Sequence, residues 1–370
     1  GFLVDSRKPT SDLNTAAEAS TYSNYNRYIR SNRGYYVFNF SLFDQLFVNA
    51  SGGLEAASSV KGSFFYPAFD AAWQFTKTAL KSNVLSFGKL RASWGKVGVQ
   101  PAPHRFETTV EGDFSYWSYS SFLDINLFGG GFRLNDDLGN QNLKPEMKTE
   151  WEIGTDLRFF NDKWSLSATY YQNKIEDMLI SVSLSPSSGF DTQYANAASM
   201  QNKGFELESD YDILDRKDYG INGYLIFARN RNEVLDLAGT STIRLAPGSV
   251  SSQAIVGYPL GVLYGTGSQV DESGNYILDA NGFPQITSSP VVLGDPNPDW
   301  TGSLGLRAHW KGLGLNILFA HSQGGEYSPR TLWVLRRFGT TQETANRITL
   351  DQDLVNYHGD VIPAGTTVRG

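Results

Sequence analysis

Carboxylates at alternating positions are the first residues in this 370-residue chain whose spacing could do chemistry. Glu150, Glu152 and Asp156 fall in "EWEIGTDLRFF", Glu206, Glu208 and Asp210 in "FELESDYD", and Arg307 in "WTGSLGLRAHW". Two carboxyl groups on one face of a strand can serve as an acid and a base, so general acid–base catalysis has to be weighed. The same pairs arise in any polar β wall, where water or a neighbouring domain satisfies them. No nucleophile elbow, phosphate-binding glycine loop or zinc signature stands beside them. The sequence therefore predicts no enzyme, no catalytic residue, no metal ligand and no cofactor.

Other candidates carry less. His104, His309, His321 and His358 lack the spacing of metal ligands. "DESGN" at 271 and "DANG" at 279 are pieces of calcium-loop sequence without the terminal bidentate Glu, and ordinary turn chemistry explains them. "GDFSYWSYSSF", 112–122, gathers Tyr116, Trp117, Tyr119 and Phe122. Rigid rings of this kind stack on a sugar, meet a partner protein, or pin their own loop by folding inward. These four are the candidate contacts to substrate or to a partner.

The element that must position all these groups is a strand. Period-two alternation is abundant and helical periodicity scarce. Tyr36, Phe38, Phe40 and Leu42 share one parity; so do Phe65, Phe69 and Trp73; so do Trp151, Ile153, Leu157 and Phe159, opposite the carboxylates. "WTGSLGLRAHW" places Trp300, Leu304, Leu306 and Trp310 on one face and Ser303, Arg307 and His309 on the other. Between its tryptophans an extended strand covers ~33 Å, which a tilt of roughly 40° projects to ~25 Å, the apolar height of an outer-membrane barrel. Trp73, Trp94, Trp151, Trp164, Trp300 and Trp310 are the expected interfacial girdle, with indoles at headgroup level.

Composition and connections agree with this. A formal charge of −7 without a basic run argues against nucleic acid. Cysteine is absent, which rules out a disulfide scaffold, and no apolar run of about 18 residues forms a membrane helix. Short turns are expected at Asp44, around Lys81 to Asn83, at Asn161 to Lys163, Asp215 to Asp218, and Lys311 to Gly312. They alternate with long segments at 96–147, 176–203 and 232–298, and only the short connection at 58–62 breaks the rule. Long loops on one rim and tight turns on the other are the habit of outer-membrane barrels. A soluble β-sandwich would show the same parity, though with shorter strands.

Longer motifs carry a resemblance. "NLKPEMKTEWEIGTDLRFFNDKWSLSATYYQNKIEDML", "SGFDTQYANAASMQNKGFELE", "GYPLGVLYG" and "DPNPDWTGSLGL", with "GKLRASWGKVG" before them, are similar to successive barrel segments of the SusC/RagA-like TonB-dependent outer-membrane transporters. The resemblance runs from about Tyr35 to Gly325. It implies an all-β, antiparallel transmembrane barrel of 22 strands, of which residues 1–370 form an internal or C-terminal portion carrying roughly ten to twelve. It also implies a plug domain and closing strands outside this chain, which is expected to be a piece of a longer polypeptide.

By the same resemblance the function is active import of a large nutrient, an oligosaccharide or a peptide, across the bacterial outer membrane. Expected partners are a SusD-like surface lipoprotein, the TonB–ExbB–ExbD complex acting through the plug, and outer-membrane lipid. Two alternatives stay open: a passive porin, and a secreted β-rich adhesin or lectin.

Overall fold

A computed structural model describes residues 28–369, apart from 78–79, 81, 113–131, 247, 280–283, 343 and 356–359. Ten strands form its wall: β1 Ser31–Leu42, β2 Leu46–Ala57, β3 Ser63–Trp73, β4 Leu85–Val99 and β5 Glu146–Phe159, then β6 Trp164–Ser183, β7 Thr192–Asp215, β8 Tyr219–Asp236, β9 Pro298–Trp310 and β10 Leu313–Gly324. They pair antiparallel in sequence order, so every strand lies beside its neighbours in the chain. Up-and-down order of this kind is how a barrel wall is wound.

The turn residues explain the tight rim. Lys311 and Gly312 both take positive φ, 44° and 90°, giving the two-residue hairpin whose twist suits its flanking strands. Phe160, Asn161 and Asp162 are left-handed in succession, with φ of 56°, 57° and 68°, and reverse β5 into β6. Four tight connections fall on one rim, where the sequence expects them; on that same rim the turn expected around Lys81 to Asn83 is part of a longer connection, 74–84, that includes a 3-10 turn at Phe75–Lys77, and the connection at 58–62 on the other rim is as short as expected.

The far rim departs from the expectation in part. The sequence predicts a long loop over 176–203, yet β6 runs for 20 residues and β7 for 24, leaving only 184–191 between them. At 3.3 Å per residue and a tilt of about 40°, 20 residues rise ~50 Å, well past a ~25 Å apolar band. Beyond that band other outer segments replace lipid as the neighbour: Ala197 and Met200 are buried and Ala198 packs on the Val234 cluster, so strict apolar alternation ends while strand pairing continues. The segment 232–298 likewise holds structure: short strands at Thr242–Ala246, Ser251–Ile255, Val262–Gly265 and Val291–Gly294 make a separate sheet.

Hydrophobic burial is scarce in the wall. Val234, Leu237 and Ala254 make a buried cluster where the end of β8 meets that small sheet. The apolar faces of the wall strands stay open: Phe38, Phe40, Phe69, Ile153, Leu304 and Phe319 are all exposed. No second sheet covers them among the described residues, which removes the sandwich reading and leaves lipid as the solvent that suits such a face.

Candidate functional site

The polar face of the wall is knit together across strands. On β6 and β8, the Tyr171 hydroxyl donates to Asn230 Oδ1 at 3.2 Å. Asn230 Nδ2 donates to Asn202 Oδ1 at 3.3 Å, and Asn202 Nδ2 to Asn173 Oδ1 at 2.8 Å. Asn173 Nδ2 donates in turn to Glu150 Oε2 at 2.9 Å, which also holds Lys148 Nζ at 2.6 Å. Every bond in this relay points the same way and it ends on an anion, an arrangement in which each bond polarises the next.

Nearer the tight rim the charges pair. Asp156 takes Lys89 Nζ at 2.7 Å, Arg91 Nε at 3.7 Å and the Ser167 hydroxyl at 2.8 Å. Asp210 lies 3.5 Å from Arg307 Nη1 and accepts from Asn222 Nδ2 at 2.6 Å. Arg91, Glu150, Glu152, Glu206 and Glu208 border a concavity of about 540 Å³ on this face. The seven charges singled out from the sequence thus share one surface. Asn173, Asn202 and Asn230 are not marked by the sequence: each lies on a different strand, and only the pairing register brings the three onto one face.

The outer end of β8 is clasped by the two loop motifs. In "GYPLG", Gly257 N–H donates to the Val234 carbonyl at 2.9 Å, and Leu260 N–H to Asn232 Oδ1 at 2.6 Å. In "DPNPDW", Asn297 Nδ2 reaches the Leu260 carbonyl at 3.3 Å, and Asp299 pairs with Arg231 at 2.5 Å. These motifs therefore tie the small outer sheet to the wall.

A family model described as "TonB dependent receptor-like, beta-barrel" matches residues 3–357. The chain belongs to that family. Its members are receptors and transporters, and its place is the bacterial outer membrane. TonB-dependent receptor P3 of Formosa agariphila is 26% identical over 92% of this chain and 35% of its own length. TonB-dependent receptor SusC of Bacteroides thetaiotaomicron is 27% identical over 62% of this chain and 24% of its own length. The chain thus spans about a third or less of these curated relatives. Among solved structures, the RagAB peptide importer in its closed-closed state superimposes with a TM-score of 0.66 at 24% identity, covering 80% of this chain and 33% of that one. This likeness shows the fold.

On the outward face of this TonB-dependent receptor wall the tryptophans fall in two groups. Near the tight rim, Trp73 meets Phe75 at 5.8 Å, Trp164 meets Phe159 at 4.8 Å, and Trp310 precedes the Lys311–Gly312 turn. Farther up, Phe69 stacks on Trp94 at 5.9 Å, and Trp94 stands opposite Trp151. Trp151 lies 5.5 Å from Tyr170, Phe205 lies 6.5 Å from Phe227, and Phe227 stacks on Trp300 at 5.8 Å. His321 closes the row, 5.1 Å from Trp300, whereas His309 lies on the polar face across Gly220.

The remaining candidates separate from this site. Tyr116, Trp117, Tyr119 and Phe122 lie outside the described residues. Asp271 in "DESGN" accepts the backbone N–H groups of Ser273 and Asn275 at 2.8 and 2.9 Å, which makes it the organiser of a turn. Among the described residues no cluster of His, Asp and Glu is arranged to hold a metal ion.

Proposed function

We propose that this chain is part of the wall of a TonB-driven importer that carries a large hydrophilic nutrient, an oligosaccharide or a peptide, inward across the outer membrane. The observation that carries the reading is the hydrogen-bonded polar face spanning β5 to β8, set on a wall that matches a third of a peptide importer's chain. A face built from carboxylates, amides and arginines suits a water-filled lumen or a polar plug, and it offers hydrogen-bond partners to a hydrated solute. Residues 1–370 then belong to a single barrel domain, whose plug and closing strands lie elsewhere in the full protein. The polar groups bind and guide; they do not catalyse.

Three assignments go with this reading. Trp73, Trp164 and Trp310 sit at the periplasmic headgroups, and Trp94, Trp151 and Trp300 at the outer ones, where amphipathic rings are favoured. Tyr116, Trp117, Tyr119 and Phe122 meet substrate or a SusD-like lipoprotein acting as lid. TonB, with ExbB and ExbD, supplies the energy through the plug.

The test is uptake by whole cells carrying the full-length protein. Oligosaccharides or peptides too large for porins should enter, and entry should stop when TonB is deleted. Uptake that persists without TonB would make the protein a passive porin, and full solubility without detergent would make it a secreted binding protein.

A further inference from the structure

Two side chains on the polar face lie across the wall instead of standing out from it. Arg91 on β4 is paired with Gly154 on β5, and its guanidinium crosses that glycine to reach the Thr169 hydroxyl on β6 at 2.6 Å. Tyr171 on β6 is paired with Gly204 on β7, and its ring takes the space of the missing side chain while its hydroxyl reaches Asn230 on β8. Glycine opposite a bulky residue is what admits so close an approach. A third pair, Tyr224 and Gly305, repeats this seat, but there the Arg307 guanidinium covers the ring at 4.1 Å. Among the described residues no ring or cation covers Tyr171.

Both bridges border the concavity of about 540 Å³. Such a volume is ordinary for a small-molecule site, roughly 300–1,000 Å³. Its lining comes from β4 to β8 alone, so β1 to β3 stand between it and one edge of the sheet, and β9 and β10 between it and the other.

The lining chemistry selects the solute. Arg91 and Lys148 are the cations on its border, and both are taken, by Asp156 at 3.7 Å and Glu150 at 2.6 Å, so an anionic solute finds no free partner. Each strand of the floor is paired on both sides, which leaves no edge to which a peptide could add as a further strand. What stays open is planar: the Tyr171 ring, the Asn202 and Asn230 amides with a second N–H and lone pair each, and the Glu206 and Glu208 carboxylates. Groups that accept at two oxygens, or both donate and accept, suit neighbouring hydroxyls, and an aromatic ring suits the apolar C–H face of a sugar.

We infer that this concavity is a subsite for a neutral oligosaccharide, with Tyr171 as the platform for one sugar ring. The inference rests on the import reading, of whose two solutes it selects the oligosaccharide.

The experiment is saturation-transfer NMR on the full-length protein in dodecylphosphocholine micelles, which contain no sugar. Xylohexaose, mannohexaose and maltohexaose are the probes, and a hexapeptide of glycine and serine is the comparison. At least one hexasaccharide should receive magnetisation, most strongly at its ring C–H protons. Tyr171→Ala should weaken its binding about three- to tenfold, as loss of a stacked ring does, whereas Tyr171→Phe keeps the ring and should lose no more than about twofold. Glu206→Trp, which fills the concavity, should abolish the transfer. Heat-modifiable migration checks that each variant has assembled. The assignment is overturned by no transfer to any hexasaccharide, by transfer intact in Glu206→Trp, by equal binding to Tyr171→Ala and the parent, or by a hexapeptide whose binding needs the ring. Uptake that fails while this binding persists would overturn the import reading and leave the subsite standing.

Discussion

Tyr171 on β6 occupies the space that a side chain at Gly204 on β7 would need. A Cβ at Gly204 would stand 2.2 Å from the Tyr171 ring, and that ring's hydroxyl is the first donor of the polar relay. Gly204→Ala must therefore push the ring aside and break its bond to Asn230. The expected cost is about 1–3 kcal/mol, the usual range for overpacking. Adding Tyr171→Ala should recover roughly 1 kcal/mol, because the clash is then gone. Urea titrations of the full-length barrel in liposomes read both values; additive losses would show that the two positions do not compete for space.

The relay itself makes a second expectation. Asn202 is its middle member, and Asn173 beneath it is only 5% exposed. Asn202→Ala leaves the Asn173 carbonyl and the Asn230 amide without their partners, and the buried one cannot turn to bulk water. A loss of about 1–3 kcal/mol is expected. Asn230→Ala removes a member that is exposed and should cost less than ~1 kcal/mol. Equal losses at both positions would mean that water replaces the buried bond as well as the open one.

Membrane depth sets a third. Leu306 shares the outward face of β9 with Leu304 and stands opposite Gly223 and Ile317, midway along the strand. Ser303 lies on the polar face. Leu306→Arg should cost roughly 2–4 kcal/mol, as cations near the bilayer midplane do, whereas Ser303→Arg should stay within about 0.5 kcal/mol. Comparing the assembled fraction of the two variants in outer-membrane preparations checks this. Equal assembly would put β9 outside the bilayer.

These contrasts show what was legible in the sequence. Wherever lipid meets one face and water the other, as along Trp300 to Trp310, solvation writes the pattern directly and strand, parity and turn could all be read. Where β6 and β7 continue past that height, burial comes from other outer segments, as at Ala197, Ala198 and Met200, strict alternation is lost, and the segment 176–203 reads as loop. The charged half of the site was legible because Glu150, Glu206 and their neighbours alternate with aromatics. The amide half was not, since Asn173, Asn202 and Asn230 gain their meaning from register between strands, which one strand's spacing does not carry.

A pH response belongs to the outer segment. Asp137 accepts hydrogen bonds from the Thr192 hydroxyl and from Arg105 Nη1, the latter at 2.6 Å, and so fastens Arg105 to the start of β7. The bond from Thr192 is the largest influence holding this carboxyl below its usual range; burial opposes it and Arg105 adds to it. A depressed folded value means that the fastening is fully present above the ordinary carboxylate range near ~4 and is lost as pH falls through the lower folded value. Cleavage next to Arg105 by an acid-active protease of broad specificity, applied to intact cells, should therefore be slow at neutral pH and rise as the pH drops below about 4. Asp137→Asn should give fast cleavage throughout and remove the pH dependence. If the variant and the parent protein show the same profile, another carboxylate fastens the loop.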